Sequence, residues 1–200
     1  NSGSVVDGPL KAYRHYREYS PSEIRDEQDE YFDNDHTKKV IPNLFKDRDD
    51  ITYHLKDAPL ELLDNDEILS MHNSDAGEIL DHDSVSKKLK TAAKLAMHYG
   101  KDYLSLLKAF KNKWKLPPPI VIRDKNNSLY LMAGNTRMML AIALGYNMPV
   151  KIVKYSKELQ TERLKIDKNK MIEIAKWMVK QHGLKSQVRI SRSTAVRGNY

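Results

Sequence analysis

Apolar positions are densest between Pro119 and Tyr155, and their pattern changes period twice within that stretch. Ile120-Val121-Ile122 is a β-branched run of strand length. Asp124 to Ser128 is polar and carries turn chemistry, with Asn126-Asn127 tolerating positive φ. Leu129 to Ala133 returns as a second strand. Gly134 breaks that strand and permits a tight turn. Asn135 or Thr136 is expected to cap the next helix, since either side-chain oxygen can satisfy a free N–H of the first turn. The helix, Arg137 to Leu144, is apolar on almost every face, which predicts burial. Gly145 ends it as a left-handed cap, and Met148 to Val153 enters a third strand.

The flanks are more polar. Pro9 to Tyr19 interleaves tyrosine with arginine; Tyr13, Tyr16 and Arg17 suit a short amphipathic helix. Such a stripe either docks on the domain, the favoured reading, or stacks on nucleic-acid bases. Ser20-Pro21-Ser22-Glu23 is a helix start with a capping box, and an acidic helix follows from Ile24 to Phe32. Asp33 to His36 lacks the glycine and distal glutamate of a calcium loop and reads as a turn. Lys46 to Asp50 reads as charged loop, and Ile51 to Leu55 alternates like a strand. Ser84 caps a helix to about Tyr99 with Val85, Leu89, Ala92 and Ala96 inward. Asp102 starts another, with Tyr103, Leu106, Leu107, Phe110 and Trp114 at helical spacing. Both helices are expected to form a layer on the sheet of 117–155. Three prolines between Leu116 and Pro119 make a rigid entry to the first central strand. Lys170 to His182 reads as a last helix.

Charge changes the picture. The chain of 200 residues carries +7 overall, with mean hydropathy −0.67. Residues 1–83 hold 9 Lys+Arg against 21 Asp+Glu, a net −12; residues 84–200 hold the remaining 25 against 6, a net +19. Either a basic surface awaits a polyanion, shielded by the acidic segment, or the halves neutralise each other within the molecule. Lys87, Lys90, Lys94, Lys108 and Lys111 make a basic face on the two helices. Lys185, Arg189, Arg192 and Arg197 lie in a tail without acids, a familiar arrangement for holding phosphate backbones. These are the candidate DNA contacts, although a lysine face is also an ordinary solvated surface.

The absence of cysteine removes disulfides and thiolate metal sites. No apolar run approaches a membrane span. The chain opens Asn1-Ser2-Gly3-Ser4 with no visible secretory signal, which reads as a processed end or a remnant of an expression tag. The expected compartment is the cytoplasm.

The turn at Gly134 carries the chemistry. A helix N-terminus points N–H groups and a positive dipole end at whatever sits beside it, and Arg137 adds a rigid cationic fork. This arrangement suits an anion, above all phosphate. The alternative is that Gly134 only turns the chain and Arg137 pairs with a core carboxylate. His72, Asp75 and Asp81-His82-Asp83 contain metal-ligand types, but no helical His/Glu pair accompanies them, so no structural metal is expected. A Mg²⁺ arriving with a nucleotide needs only one or two carboxylates.

A strand, then Gly-x-x-Arg opening an apolar helix, then glycine and a Pro-Val strand, resembles the ParB/sulfiredoxin superfamily over residues 116 to 155. The resemblance implies an α+β fold, a small mixed sheet with helices and with helical N- and C-terminal extensions. The corresponding division is 1–50 acidic extension, 51–155 ParB-like domain, 156–183 helical segment and 184–200 basic tail. It also implies that Gly134, Asn135, Thr136 and Arg137 cradle the phosphates of ATP, ADP or CTP. Kinase-type members take a base from a segment resembling Asp66-Glu67-Ile68, so Asp66 and Glu67 are the candidate catalytic carboxylates, with Asp64 or Asp75 behind them. For any one of them taken singly, a solvated helix cap is the favoured reading. The sulfinic-acid reductases of the superfamily need cysteine where this chain has Asn135, so their reaction is excluded. What remains is a nucleotide-dependent phosphoryl-transfer enzyme, kinase-like or NTPase, using Mg²⁺ and acting on or loaded onto DNA. Its rivals are a non-enzymatic DNA-binding protein and a small-metabolite kinase.

Overall fold

The computed structural model describes residues 9–161. The expected helix at 170–182 and the tail bearing Lys185, Arg189, Arg192 and Arg197 lie outside the described residues. The described residues up to Gln160 belong to one compact mixed α+β unit.

The chain enters extended. Strand β1 (Lys11–Ala12) pairs in parallel with the later β5 (Tyr146–Asn147). The helix expected over 9–19 does not form, because this backbone finds strand partners: Tyr16 also bridges Leu116. Tyr13 and Tyr19 are buried and Tyr16 is exposed, so two of the three tyrosines dock. Helix α1 (Pro21–Asp33) starts with the anticipated Ser20–Glu23 capping box. The expected turn at 33–36 shrinks to Asn34, which closes α1 and caps α2 (Asp35–Val40).

Ile51 to Leu55 is not a strand. It lies in helix α3 (Arg48–Asp57), capped by Asp47, with Ile51 and Leu55 buried one turn apart. The alternating pattern also satisfies i, i+4 spacing, and the acids Asp47, Asp49 and Asp50 at the helix start decide in favour of helix. The charged loop expected at 46–50 is thus largely a helix start.

Strand β2 (Leu60–Glu61) leads to α4 (Asn65–Ser70), α5 (Ala76–Leu80), α6 (Val85–His98) and α7 (Tyr103–Lys111). The central stretch then folds as its pattern predicts into β3 (Ile120–Arg123), β4 (Leu129–Ala133), α8 (Asn135–Ala143) and β6 (Val150–Lys154), with the unanticipated β5 between α8 and β6. The main sheet has the order β2-β6-β3-β4, with β3 parallel to β6 and the other pairs antiparallel. Asp124 accepts from the N–H groups of Asn126, Ser128 and Leu159, fixing the β3–β4 turn from inside.

One sheet face contributes Val121, Leu129, Leu131, Val150 and Ile152 to a core shared with α8. Helices α6 and α7 close against α8, so they cover the buried helix and not, as expected, the sheet directly. The other face belongs to the N-terminal residues. Tyr155 donates to the Pro42 carbonyl, and the 3 % exposed Lys151 donates to the Leu55 carbonyl. Lys151 also pairs with Glu18 at 2.9 Å. A boundary at residue 50 therefore cuts through a packed layer: 9–50 is structural cover for the sheet.

Gly134 is the tightest point in this arrangement. Its φ is +93°, and an added Cβ would stand 2.8 Å from the Pro119 Cα. Gly134→Ala should lower stability by about 1–3 kcal/mol through backbone strain, with further loss from the clash against backbone. Urea denaturation checks this; an unchanged midpoint would contradict it.

Candidate functional site

Helix α8 begins differently from most of its neighbours. Ser20, Asn34, Asp47, Asp64, Ser84 and Asp102 each accept a first-turn N–H at the start of α1, α2, α3, α4, α6 and α7. At α8 the N-cap residue is Gly134, and no side chain caps the turn. Neither Asn135 nor Thr136 takes the expected capping position. Asn135 turns instead to Asp75: its Nδ2 donates to Asp75 Oδ2 at 2.7 Å, and its Oδ1 accepts from the Asp75 N–H at 3.1 Å. Tyr99 donates to the same Asp75 oxygen at 2.9 Å. The dipole end of a buried helix is thus presented without a side-chain oxygen to neutralise it.

Arg137 lies across this opening. Its Nη2 stands 2.9 Å from where a Gly134 Cβ would be, so the glycine also makes room for the guanidinium. Nη2 donates to the Tyr19 hydroxyl at 3.1 Å, and the guanidinium carbon sits 5.6 Å from the Tyr19 ring centroid. Tyr19 in turn donates to the Pro118 carbonyl. Burial pushes the Tyr19 hydroxyl up to about 12, against the opposing pull of Arg137, so it stays a neutral donor. Arg137 therefore stacks on an aromatic ring, a use of the planar guanidinium that lysine cannot copy.

The core carboxylate weighed as a partner for Arg137 is present, but not as a contact pair. Glu27 projects from α1 into the field of Arg137 and Lys101. Arg137 forms no ion pair within 4 Å among the described residues. The Glu27 Oε2 is enclosed and has no hydrogen-bond partner. Burial raises the Glu27 carboxyl to about 7, with Arg137 pulling it back toward its ordinary value. A carboxyl of that kind changes protonation near neutrality, which suits proton transfer.

The acids anticipated from sequence sit elsewhere. Asp66 is exposed in the first turn of α4. Glu67 closes a capping box with Asp64, the arrangement weighed as the alternative to catalysis. Glu67 also lies 3.4 Å from Arg123, which pairs with Glu61 as well. Arg123 is opposite Leu129 at the turn end of the β3–β4 hairpin, whereas Gly134 follows its open end. The acids that accompany the α8 N-terminus are Glu27 and Asp75. Glu27 had a legible signal: it follows Ile24 by three residues and precedes the buried Tyr31 by four, on an apolar helical stripe where an acid is out of place. Asp75, in a polar run between two short helices, offered no periodic signal.

Lys87, Lys90, Lys94, Lys108 and Lys111 are exposed, and Lys87 pairs with Asp83 at 3.0 Å. Among the described residues no three His, Asp or Glu side chains converge as metal ligands, and no helix is long and apolar enough to cross a membrane. No family model, curated protein or solved structure matches the chain.

The raised Glu27 carboxyl has a stability consequence. Its folded value, about 7, exceeds its ordinary 4.5, so the native state holds the proton more tightly than the unfolded chain. Stability from this group is fullest below about pH 4.5, falls as pH rises toward about 7, and is then level. Glu27→Gln removes that fall. The melting temperature of the variant should gain on the wild type between pH 5 and 7.5; a pH-independent difference would contradict a buried, titrating Glu27.

Proposed function

We propose that this chain is a nucleotide-dependent phosphoryl-transfer enzyme of the ParB-like type, acting on or loaded onto DNA. The observation that supports it best is the uncapped start of α8, crossed by Arg137 and accompanied by Glu27, whose Oε2 is enclosed without a hydrogen bond. The first-turn N–H groups of Asn135, Thr136 and Arg137 receive phosphate oxygens of ATP, ADP or CTP. Arg137 leaves Tyr19 or pivots upon it to hold a phosphate with two N–H donors.

Phosphoryl transfer needs positioning and charge neutralisation more than covalent help from the protein. A hydroxyl acceptor loses its proton to the Glu27 carboxylate as its oxygen bonds to the terminal phosphorus. The bond from that phosphorus to the bridging oxygen breaks, and the nucleoside diphosphate leaves with the electron pair. Water in place of the hydroxyl makes the same chemistry an NTPase. Mg²⁺ supplies charge neutralisation when bound with the nucleotide. Asp75, beside the helix start, is the carboxylate suited to it, because Mg²⁺ takes few protein ligands when phosphates supply others.

Glu27 Oε2 is closed off beside Arg137, so a reacting group reaches it only as Arg137 moves off Tyr19, and a small one does so best. A metabolite hydroxyl meets that demand and keeps the small-molecule kinase in view. A hydroxyl on a base turned out of a strand meets it equally, and the exposed lysines of α6 and α7 favour the nucleic-acid case.

The test is ATP and CTP binding by calorimetry and turnover with Mg²⁺, with and without DNA. Arg137→Ala should lose nucleotide binding while remaining folded, and Arg137→Lys should rescue it poorly. Glu27→Gln should bind nucleotide but lose about 10²–10⁴ in turnover, and wild-type turnover should rise through pH 7. Asp66→Asn and Glu67→Gln should retain turnover. Equal nucleotide affinity in wild type and Arg137→Ala would overturn the reading.

A further inference from the structure

The sequence suggests that Trp114 continues the inward stripe of α7, yet the structure turns it out. Helix α7 ends at Lys111, and Lys113 adopts a left-handed φ of +55°. The Lys113 N–H bonds the Phe110 carbonyl and the Trp114 N–H bonds the Ala109 carbonyl, which closes the helix and redirects the chain. Trp114 emerges 53 % exposed.

The following residues form a short ribbon with the N-terminal segment. The Leu116 N–H donates to the His15 carbonyl, the Arg17 N–H donates to the Leu116 carbonyl, and Tyr16 is in register with Leu116. The Tyr13 hydroxyl donates to the Trp114 carbonyl at 2.8 Å and pins the ribbon from beneath. Two stretches about a hundred residues apart in sequence thereby set a second exposed ring, Tyr16 at 41 %, beside the Trp114 segment. Neither ring takes part in an aromatic pair among the described residues.

The surround is cationic. Arg14, Lys111, Lys113 and Lys115 are exposed, and none forms an ion pair among the described residues. The nearby acids Glu18 and Glu23 are already held, by Lys151 and Arg17. The two stretches that carry the rings thus also carry four exposed cations without an ion-pair partner among the described residues.

We infer that the Tyr16–Trp114 ribbon is a binding platform for single-stranded nucleic acid, with bases stacked on the two rings and phosphates held by Arg14, Lys111, Lys113 and Lys115. Aromatic faces take any base, and fixed cations around them track a backbone. Inside a duplex the base faces are already stacked on one another and closed to such rings, so single strands are preferred. The inference rests on the reading of DNA as partner and adds where, and in which form, it is held.

The test uses the full-length Trp177→Phe protein, in which Trp114 is the remaining tryptophan. It is titrated without nucleotide or Mg²⁺ with a fluorescein-labelled thymidine oligonucleotide of about twelve residues. Trp114 emission should be quenched, and fluorescein anisotropy should report tighter binding than for the duplex. In that background, changing Trp114 or Tyr16 to Ala should weaken binding about tenfold each, while Trp114→Phe keeps most of it. Lys113→Gln with Lys115→Gln should lower the log–log salt slope by about 1.4.

Binding that is indifferent to Trp114→Ala and Tyr16→Ala overturns the platform while leaving DNA as a partner. Quenching by phosphatidylserine vesicles but not by oligonucleotide overturns it in favour of a membrane surface. Quenching by oligonucleotide in a protein that neither binds nor turns over ATP supports the platform and removes the enzymatic reading instead.

Discussion

The close approach of Gly134 to Pro119 is the constraint on which the rest depends. The end of β4 and the entry to β3 come so near that no Cβ fits between them. The chain must therefore reverse in a left-handed conformation, and the helix that follows starts with glycine at its N-cap. Glycine has no oxygen to offer the first turn. A steric requirement of the sheet thus produces an electrostatic property of the site: an uncapped positive dipole end beside a buried helix. The same missing side chain leaves space into which Arg137 folds.

Charge is then managed from outside the central stretch. The acidic N-terminal residues cover one sheet face and deliver Tyr19 and Glu27 to Arg137. Burial of Glu27 costs free energy when it is ionised, and Arg137 repays only part of it. A carboxylate tightly paired with Arg137 would be ionised and inert at neutral pH. One held farther away stays poised between protonation states. The geometry thus gives up stability at neutral pH and leaves a carboxyl that changes protonation there, a pattern common to functional sites.

Much of this architecture was readable from residue patterns. From Ile120 to Val153 the changes of period, the turn asparagines and the two glycines mark each element, because these residues act locally. The capping boxes at Ser20 and Asp64 are local in the same sense. What escaped is long-range. Ile51–Leu55 satisfies both periods, and its fate is settled by the helix-favouring acids before it. The segment 9–19 becomes extended because β5 and Leu116 accept its backbone, and no pattern within 9–19 reveals those partners. At the site, Gly134 and Arg137 stood out by spacing, whereas Tyr19 and Glu27 reach Arg137 across 118 and 110 residues of chain and Asp75 reaches Asn135 across 60. Asp66 and Glu67 suggested chemistry by composition, and their local use is as helix-start residues.

The central claim is that the start of α8 receives phosphate. Backbone ¹⁵N–¹H spectra of the full-length protein, titrated with ADP and separately with pyrophosphate, test it at the atoms concerned. The account predicts that the amides of Asn135, Thr136 and Arg137 move most with either ligand, together with the Arg137 side-chain Nε–H as it leaves Tyr19. Saturating shifts confined to other amides, with these three unmoved, would contradict it.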